Sequence, residues 1–533
     1  MKSGKPLKLG AVASASLVLY LLLAIQYPLG PSLDDPRATW ASMVESTWLN
    51  AIYHLLIYLG LILLYLIALR LLTPSDAERE AHPRQLILLV LAAWLACSIV
   101  LMFVAPAGES HDIFDYLFRG RMMTEYQANP LFDVPEDFKL STPYSRYLAW
   151  RKYVDTYGPV WEASSAAVSR GVHQVAEGVG WWDEDAPVCP KSPESCRLLI
   201  VYITGYRLLA ISLTGLSGWL IYSMVMHNRT SLAPLALAAW LLNPMTLIVT
   251  AMGGHNDAVM LVLILLSWWL LQRQRPFLAM LAFIVAAHVK LTALIWLPAC
   301  VLWIVWRWGW GRALKIGLAS LVSSLALSWL LYAPFGGWQT LPRMLDERSR
   351  FLANSGWRVL YHQLVYQWDW PKQSALQLST NLPNWLFGAS ALIIPLWTFN
   401  FRPARWRSDP VDPAEAERML WFTLTTVSMT YLLVGSFWFQ HWYVLWVLVP
   451  AVLSPHHRFP RSLLPWLIFG ALSSNVAMSF LLATVLESAP RIVNYITVVL
   501  IIWGPLLIAF SALVLARWLG KKDRTIQSQQ PYR

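Results

Sequence analysis

The chain reads as an all-α polytopic membrane protein, and three observations predict it. Of 533 residues 57% are hydrophobic and 13% are charged, with 31 Trp, a composition that puts most of the chain in lipid and excludes a soluble enzyme. Apolar stretches of about 20 residues, each long enough to cross a hydrocarbon core, recur from one end to the other. Lys and Arg are scattered through the short connections and form no basic face with interleaved aromatics. The formal charge of +11 is therefore a topology signal, and nucleic acid is excluded as a partner.

Taken in order, apolar stretches fall near 9 to 29, 50 to 72, 86 to 105, 198 to 222, 231 to 250, 257 to 272, 314 to 333, 380 to 399, 419 to 438, 463 to 485 and 493 to 517. The run 277 to 306 is too long for one simple span and is interrupted by His288-Val289-Lys290, which predicts two half-length helices meeting at that polar point; 442 to 454 is short. With the hairpin counted twice, 13 to 14 segments are expected. The N-terminal run follows Lys2, Lys5 and Lys8, and its small residues Ala11 to Ala15 precede the apolar bulk, so an uncleaved anchor is expected.

Basic connections (Arg79 and Arg84, Arg229, Arg273 and Arg275, Arg307 to Lys315, Arg402 to Arg418, Arg458 and Arg461, Lys521 to Arg524) fall on one side if the hairpin crosses twice. That side is the cytoplasm by the positive-inside rule. Two long loops, 106 to 197 and 334 to 379, and the tips at 253 to 257 and 437 to 443 then face the periplasmic or extracellular side of what reads as a bacterial cytoplasmic membrane. Cys189 and Cys196 lie in the first of these loops around a Pro-containing turn and can form a disulfide there, two unpaired thiols being the alternative; Cys97 and Cys300 lie in apolar spans.

The polar motifs gather in the outward segments. In Ser110 to Arg121, Asp112, Asp115, Tyr116 and Arg119 share one stripe of a helix, while Ile113, Phe114, Leu117 and Phe118 point into lipid or protein; this predicts an amphipathic helix at the interface with Ser110 as its N-cap. No Walker loop, Gly-rich dinucleotide turn or metal-spaced His/Cys cluster occurs, and Asp183-Glu184-Asp185 reads as a solvated acidic turn. An outward-facing enzyme without a nucleotide site must draw an activated substrate from the lipid.

The run Asp112-x-x-x-Tyr116-x-x-x-Gly120-Arg121, then Asn129-Pro130, Tyr157-Gly158-Pro159-Val160-Trp161, Asn243-Pro244, Gly254-His255-Asn256-Asp257, Lys290 and Gln440-x-Trp442-Tyr443-x-x-Trp446 resembles the polyprenol-phosphate-mannose-dependent mannosyltransferases of the GT-C superfamily, in particular glycosyltransferase family 87 and the bacterial α-1,6-mannosyltransferases. Each motif alone is weak, and their order over about 86 to 450 carries the likeness. The resemblance implies a GT-C-type fold with juxtamembrane helices on the outer face and four parts: a two-helix extension (1–85), a catalytic core (86–335), a second outer loop (336–379) and C-terminal helices with a cytoplasmic tail (380–533). It further implies transfer of a hexose, mannose by the likeness, from a polyprenyl-phosphate donor to a glycolipid or glycan acceptor by inverting displacement.

That chemistry needs a carboxylate to take the acceptor proton and cations to hold the leaving phosphate. Asp112 is the expected base and complements a helix N-terminus in any case; Asp115 is the second acid, which an ion pair with Arg119 at i+4 would also explain. Arg119, Arg121, Lys290, Arg348 and Arg350, with His255 and Asp257, are the candidates for donor and phosphate. Snorkelling is the plain reading of Lys290, and helix capping that of Asp257. Tyr116, Tyr157, Trp161, His441, Trp442 and Tyr443 are candidates for stacking on sugar or acceptor, against turn-forming, core or membrane-belt roles. No cofactor is expected, with a divalent ion held by Asp112, Asp115 and Asp257 left open. A polyprenyl-linked polysaccharide polymerase or ligase, or a lipid-linked sugar flippase, is the alternative; a transporter would show paired half-repeats, and none occurs here.

Overall fold

The computed structural model describes residues 4–34, 48–74, 83–105, 110–138, 147–181, 193–349, 351–399, 412–455, 457, 459–482 and 485–528. Secondary structure among them is helical apart from two isolated β-bridges, as expected where lipid leaves backbone groups no partner but their own helix. The molecule is a multi-pass membrane protein.

The first half begins with α1 (Lys5–Gln26), the short α2 (Leu29–Asp34), α3 (Trp48–Leu72) and α4 (Pro83–Met102). Next come α5 (Asp112–Thr124) and α6 (Pro159–Gly178), too polar to span, and the long α7 (Pro193–Asn228). The apolar run at 231 to 250 is cut by Asn243-Pro244 into α8 (Ala233–Leu241) and α9 (Pro244–Leu247), bent by 49°. Pro244 has no N–H to continue the helix, and the Asn243 side chain caps the new start by accepting from the Met245 amide at 2.9 Å. A π-turn at Ile248–Met252 leads to the Gly253-Gly254 tip and α10 (Asp257–Gln272).

Then follow α11 (Pro276–Ala287), a 3-10 turn at Leu291–Trp296, α12 (Leu297–Trp308) and α13 (Trp310–Tyr332). The expected break at His288-Val289-Lys290 is present: α11 stops at Ala287 and the chain resumes at Leu291. The second half holds α14 (Thr340–Ser349), α15 (Gly356–Tyr366), α16 (Lys372–Thr398), α17 (Pro413–Thr430), α18 (Leu445–Val452), α19 (Leu464–Ala477) and α20 (Arg491–Ser528). Trp240, Trp268, Trp296 and Trp446 fill the interior, and three of them find acceptors for their indole N–H: Trp240 on Thr214 O at 3.1 Å, Trp296 on Ser428 Oγ at 2.7 Å and Trp446 on Asp257 Oδ1 at 2.7 Å.

Two expectations are refined. Among the described residues seven helices are long and apolar enough to span, or eight with the bent pair, and three more apolar helices are shorter, against the 13 to 14 segments, short and half-length ones included, expected from the sequence. Pro, Asn and Gly inside apolar stretches break them into half-length pieces. A twelve-residue helix such as α11 rises only about 18 Å, short of a hydrocarbon core of about 30 Å. The second refinement is to α5: residues 112–122 are all buried, so protein, including α6 and α7, covers its polar stripe as well as its apolar side.

Candidate active site

Ser110 begins the site. Its Oγ accepts the Asp112 amide at 3.0 Å, although His111, not Ser110, occupies the cap position itself. This fixes the first turn of α5, and Asp112 comes out facing a ring of donors: Tyr116 Oη and Tyr157 Oη to Oδ2 and Trp150 Nε1 to Oδ1, each at 3.4 Å, with His255 Nδ1 at 4.0 Å from Oδ2. The donors are long and neutral, so the carboxylate is held in orientation while keeping acceptor capacity for a further proton.

Asp115, one turn on, is engaged differently. Its oxygens accept the amides of Ala149 and Trp150 at 3.4 and 3.2 Å, anchoring the 147–157 segment to α5. Burial pushes its carboxyl up to about 7, against the opposing pull of Arg119. Arg119 forms its ion pair with Asp155, Nε to Oδ2 at 3.3 Å, and donates to Tyr153 O at 2.9 Å, so the surface pair between Asp115 and Arg119 gives way to a buried link between α5 and the loop.

The turn at Asn129-Pro130 supports the same loop: Asn129 Oδ1 accepts the Leu131 amide at 3.1 Å, and Pro130 O accepts the Asp155 amide at 2.8 Å. Asp155 Oδ1 in turn accepts from Tyr157 N at 3.0 Å. Gly158 then passes against the α11 break, with its amide on Val289 O and the Val160 amide on His288 O, both at 3.0 Å. A Cβ at Gly158 would lie 2.1 Å from His288 O, so only glycine permits this contact.

Lys290 follows directly. Its Nζ lies 2.9 Å from Asp257 Oδ2 and within 5.2 to 5.6 Å of the ring centres of Tyr157, Tyr443 and Trp446, while Trp446 Nε1 donates to Asp257 Oδ1 at 2.7 Å. Lys290 is 5% exposed and does not snorkel; Asp257 is its buried counter-ion. The tip before α10 depends on Gly254, whose φ of +63° is left-handed and whose Cβ would meet Ile113 Cδ1 at 2.9 Å. It brings His255 behind Asp112, its ring tilted by 31° against Trp442 with centres 4.2 Å apart.

From the second half, backbone bonds between Ala353 and Phe437 (3.2 Å) and between Phe439 and Ala353 (3.0 Å) tie the post-α14 loop to the 437–443 tip. They assemble Trp150, Tyr153, Phe351 and Trp438 edge to face, with ring centres 5.1 to 5.9 Å apart. The result is a pocket lined by Asp112, Asp115, Tyr116, Arg119 and Tyr157, by Lys290 and Arg348, and by Gln440, Trp442, Tyr443 and the aromatic quartet. Its enclosed volume is about 120 Å³.

Other sequence candidates lie elsewhere. Arg121 is paired with Glu125, Nε to Oε1 at 2.6 Å, and does not line the pocket. Trp161 stands behind Tyr116 at 4.7 Å, and His441 Nδ1 faces Asn475 Nδ2 at 2.9 Å. Arg350, Cys189, the Cys196 side chain and Asp183-Glu184-Asp185 fall outside the described residues; Cys97 and Cys300 are buried free thiols. No group of three or more His, Cys, Asp or Glu side chains positioned to hold a metal is found among the described residues. Sequence reading passes over Trp150, Tyr153, Asp155 and Phe351, although four aromatics at Tyr147, Trp150, Tyr153 and Tyr157 in a polar loop are a usable sign.

Residues 7–307, more than half of the chain, match the family described as alpha-(1→6)-mannopyranosyltransferase, N-terminal domain. The chain belongs to the alpha-(1→6)-mannopyranosyltransferase family. It is therefore a glycosyltransferase, and the matched region contributes Asp112 to Tyr157 and Lys290 to the pocket. No curated protein matches the chain.

Proposed function

We propose that this mannosyltransferase takes its sugar from a polyprenyl-phosphate donor and passes it to a hydroxyl of a glycolipid or glycan acceptor, at the face of the membrane opposite the cytoplasm, with Asp112 as general base of an inverting displacement. The observation that carries the reading is the pocket itself, which gathers a buried, hydrogen-bonded carboxylate, the cations Lys290 and Arg348 and several aromatic side chains around one space. A carboxylate and cations lining one pocket suit an acceptor oxygen losing a proton while a phosphate oxygen gains charge. Tyr157, Trp442 and Tyr443 line the same pocket and supply aromatic surface for a sugar, and Arg348 can grip phosphate oxygens beside Lys290. Asp257 is best read as the group that holds Lys290 in place, since a carboxylate at the phosphate would repel it.

The test is transfer by purified protein in lipid, offered a panel of polyprenyl-phosphate sugars and, separately, nucleotide sugars. Polyprenyl-phosphate mannose is expected to serve, without added metal and in the presence of chelator. Asp112→Asn is expected to fold and to lose about 100-fold or more of the rate, the scale of a missing general base. Use of a nucleotide sugar in place of the lipid donor, or near-normal rates in Asp112→Asn, would each defeat the proposal.

A further inference from the structure

Beneath the pocket wall lies a group that transfer chemistry does not use. Glu162, one turn into α6, is 0% exposed, and neither carboxyl oxygen accepts from an N–H or O–H donor. The Asp155 carboxyl faces it, also buried, and the cation close by is Arg119, which forms an ion pair with Asp155 at 3.3 Å and leaves its own Nη1 buried with no partner. The remaining titratable neighbour is the Tyr206 hydroxyl of α7, which is occupied by Ser165 Oγ at 2.6 Å.

Two ionised carboxylates beside one guanidinium would leave a net negative charge sealed from water, which is costly. One shared proton removes that cost and provides the donor that the Asp155 oxygens lack on this side. We propose that Glu162 is a positioning residue, held as the neutral acid and donating its proton to Asp155, and that this buried acid pair with Arg119 sets Tyr157 against Asp112 and Lys290. The coupling runs through short links already described: Asp155 Oδ1 to Tyr157 N, then Gly158 and Val160 to the backbone of the α11 break beside Lys290. Burial first, then the Asp155 charge, pushes the Glu162 carboxyl well above its ordinary value, with Arg119 opposing.

The inference rests on the proposed role of Asp112, so its test needs a readout apart from transfer. Infrared spectra of the whole protein in lipid, with ¹³C-glutamate labelling, are expected to show the carbonyl band of a buried protonated acid, absent in Glu162→Gln. In transfer assays the wild-type rate is expected to fall as pH rises and the pair loses its proton, whereas Glu162→Gln, which keeps a permanent donor, is expected to retain wild-type kcat without that fall. Glu162→Ala is expected to lose kcat by about 100-fold, the effect of displacing a reacting group by about 1 Å. A spectrum unchanged by Glu162→Gln, or a Glu162→Gln enzyme as impaired as Glu162→Ala, would overturn the role of Glu162. If neither wild type nor variants transfer from any lipid donor while the band behaves as expected, it is the substrate reading that fails and the acid pair stands.

Discussion

At the scale of single residues, charge decides which polar side chains belong to the site. Lys290 and Asp257 are buried together, and breaking such a pair by removing one member strands the other; the usual cost is about 3–5 kcal/mol. Lys290→Met should therefore lower the unfolding temperature sharply, and the double variant Lys290→Met, Asp257→Asn should recover much of that loss, because the amide leaves no charge to strand. If Lys290 also holds the donor phosphate, the double variant should remain poor in donor use, seen as a raised KM for the lipid donor with acceptor KM unchanged. Recovery of both stability and donor use would reduce Lys290 to a structural counter-ion. The prediction also shows what sequence could convey. A lysine inside an apolar run announces a partner, but that the partner is Asp257, 33 positions earlier, depends on how α10 and α11 are placed side by side. Arg119 and Arg121 look alike in sequence, two positions apart on one helix. Helical geometry turns one toward Asp155 and the other toward Glu125.

Among elements, the site is held by contacts between breaks rather than between regular helices. α11 ends at Ala287, and the carbonyls freed at His288 and Val289 accept from Val160 and Gly158 at the start of α6, so two chain interruptions complete each other's hydrogen bonds. Gly158→Ala forces these backbone segments apart, since the added Cβ meets a carbonyl oxygen, a group that cannot swing aside as a side-chain tip can. The expected result is a drop in kcat of about 100-fold, as Tyr157 and Lys290 lose registry with Asp112, with the folded protein still recovered from membranes. Glycine-to-alanine activity above half of wild type would show that the loop and the α11 break do not set the chemistry. Sequence reading gives Tyr157-Gly158-Pro159 as a turn into a helix and 288–290 as a helix break, and both are present. Their contact lies beyond it, because Gly158 and His288 are far apart in the chain and nothing in local periodicity pairs them. The same limit explains α5: its polar stripe looks solvated in sequence, yet the stripe faces loop 147–157, whose amides and carbonyls replace water.

For the molecule as a whole, the pocket defines an end of the bundle. α10 starts at Asp257 beside the pocket and finishes at Gln272, whose amide donates to Glu417 at 3.0 Å; sixteen residues rise about 24 Å, so Glu417 and the basic groups near it lie at the far end. Arg229 and Arg418 both belong to that end, around Glu417. Composition and the spread of apolar runs made the membrane class legible, whereas the number of full spans did not follow from counting, because proline and asparagine turn several apolar runs into bent or half-length helices that still help build the core. In the proposed orientation, which follows the positive-inside rule, the Arg229 end is cytoplasmic and the pocket faces the other side. Single cysteines introduced at exposed positions of the pocket end, such as Trp368 or Arg343, should then react with an impermeant thiol reagent added to intact cells, and cysteines at Arg229 or Glu415 should react only after the membrane is opened. Cys97 and Cys300 are buried and need not be removed, whereas Cys189 and Cys196 of the first outer loop are replaced by Ser before the single cysteines are introduced. Labelling in the reverse pattern would put the pocket in the cytoplasm, where soluble nucleotide sugars are at hand, and the physical reason for a lipid-borne donor would disappear with the topology.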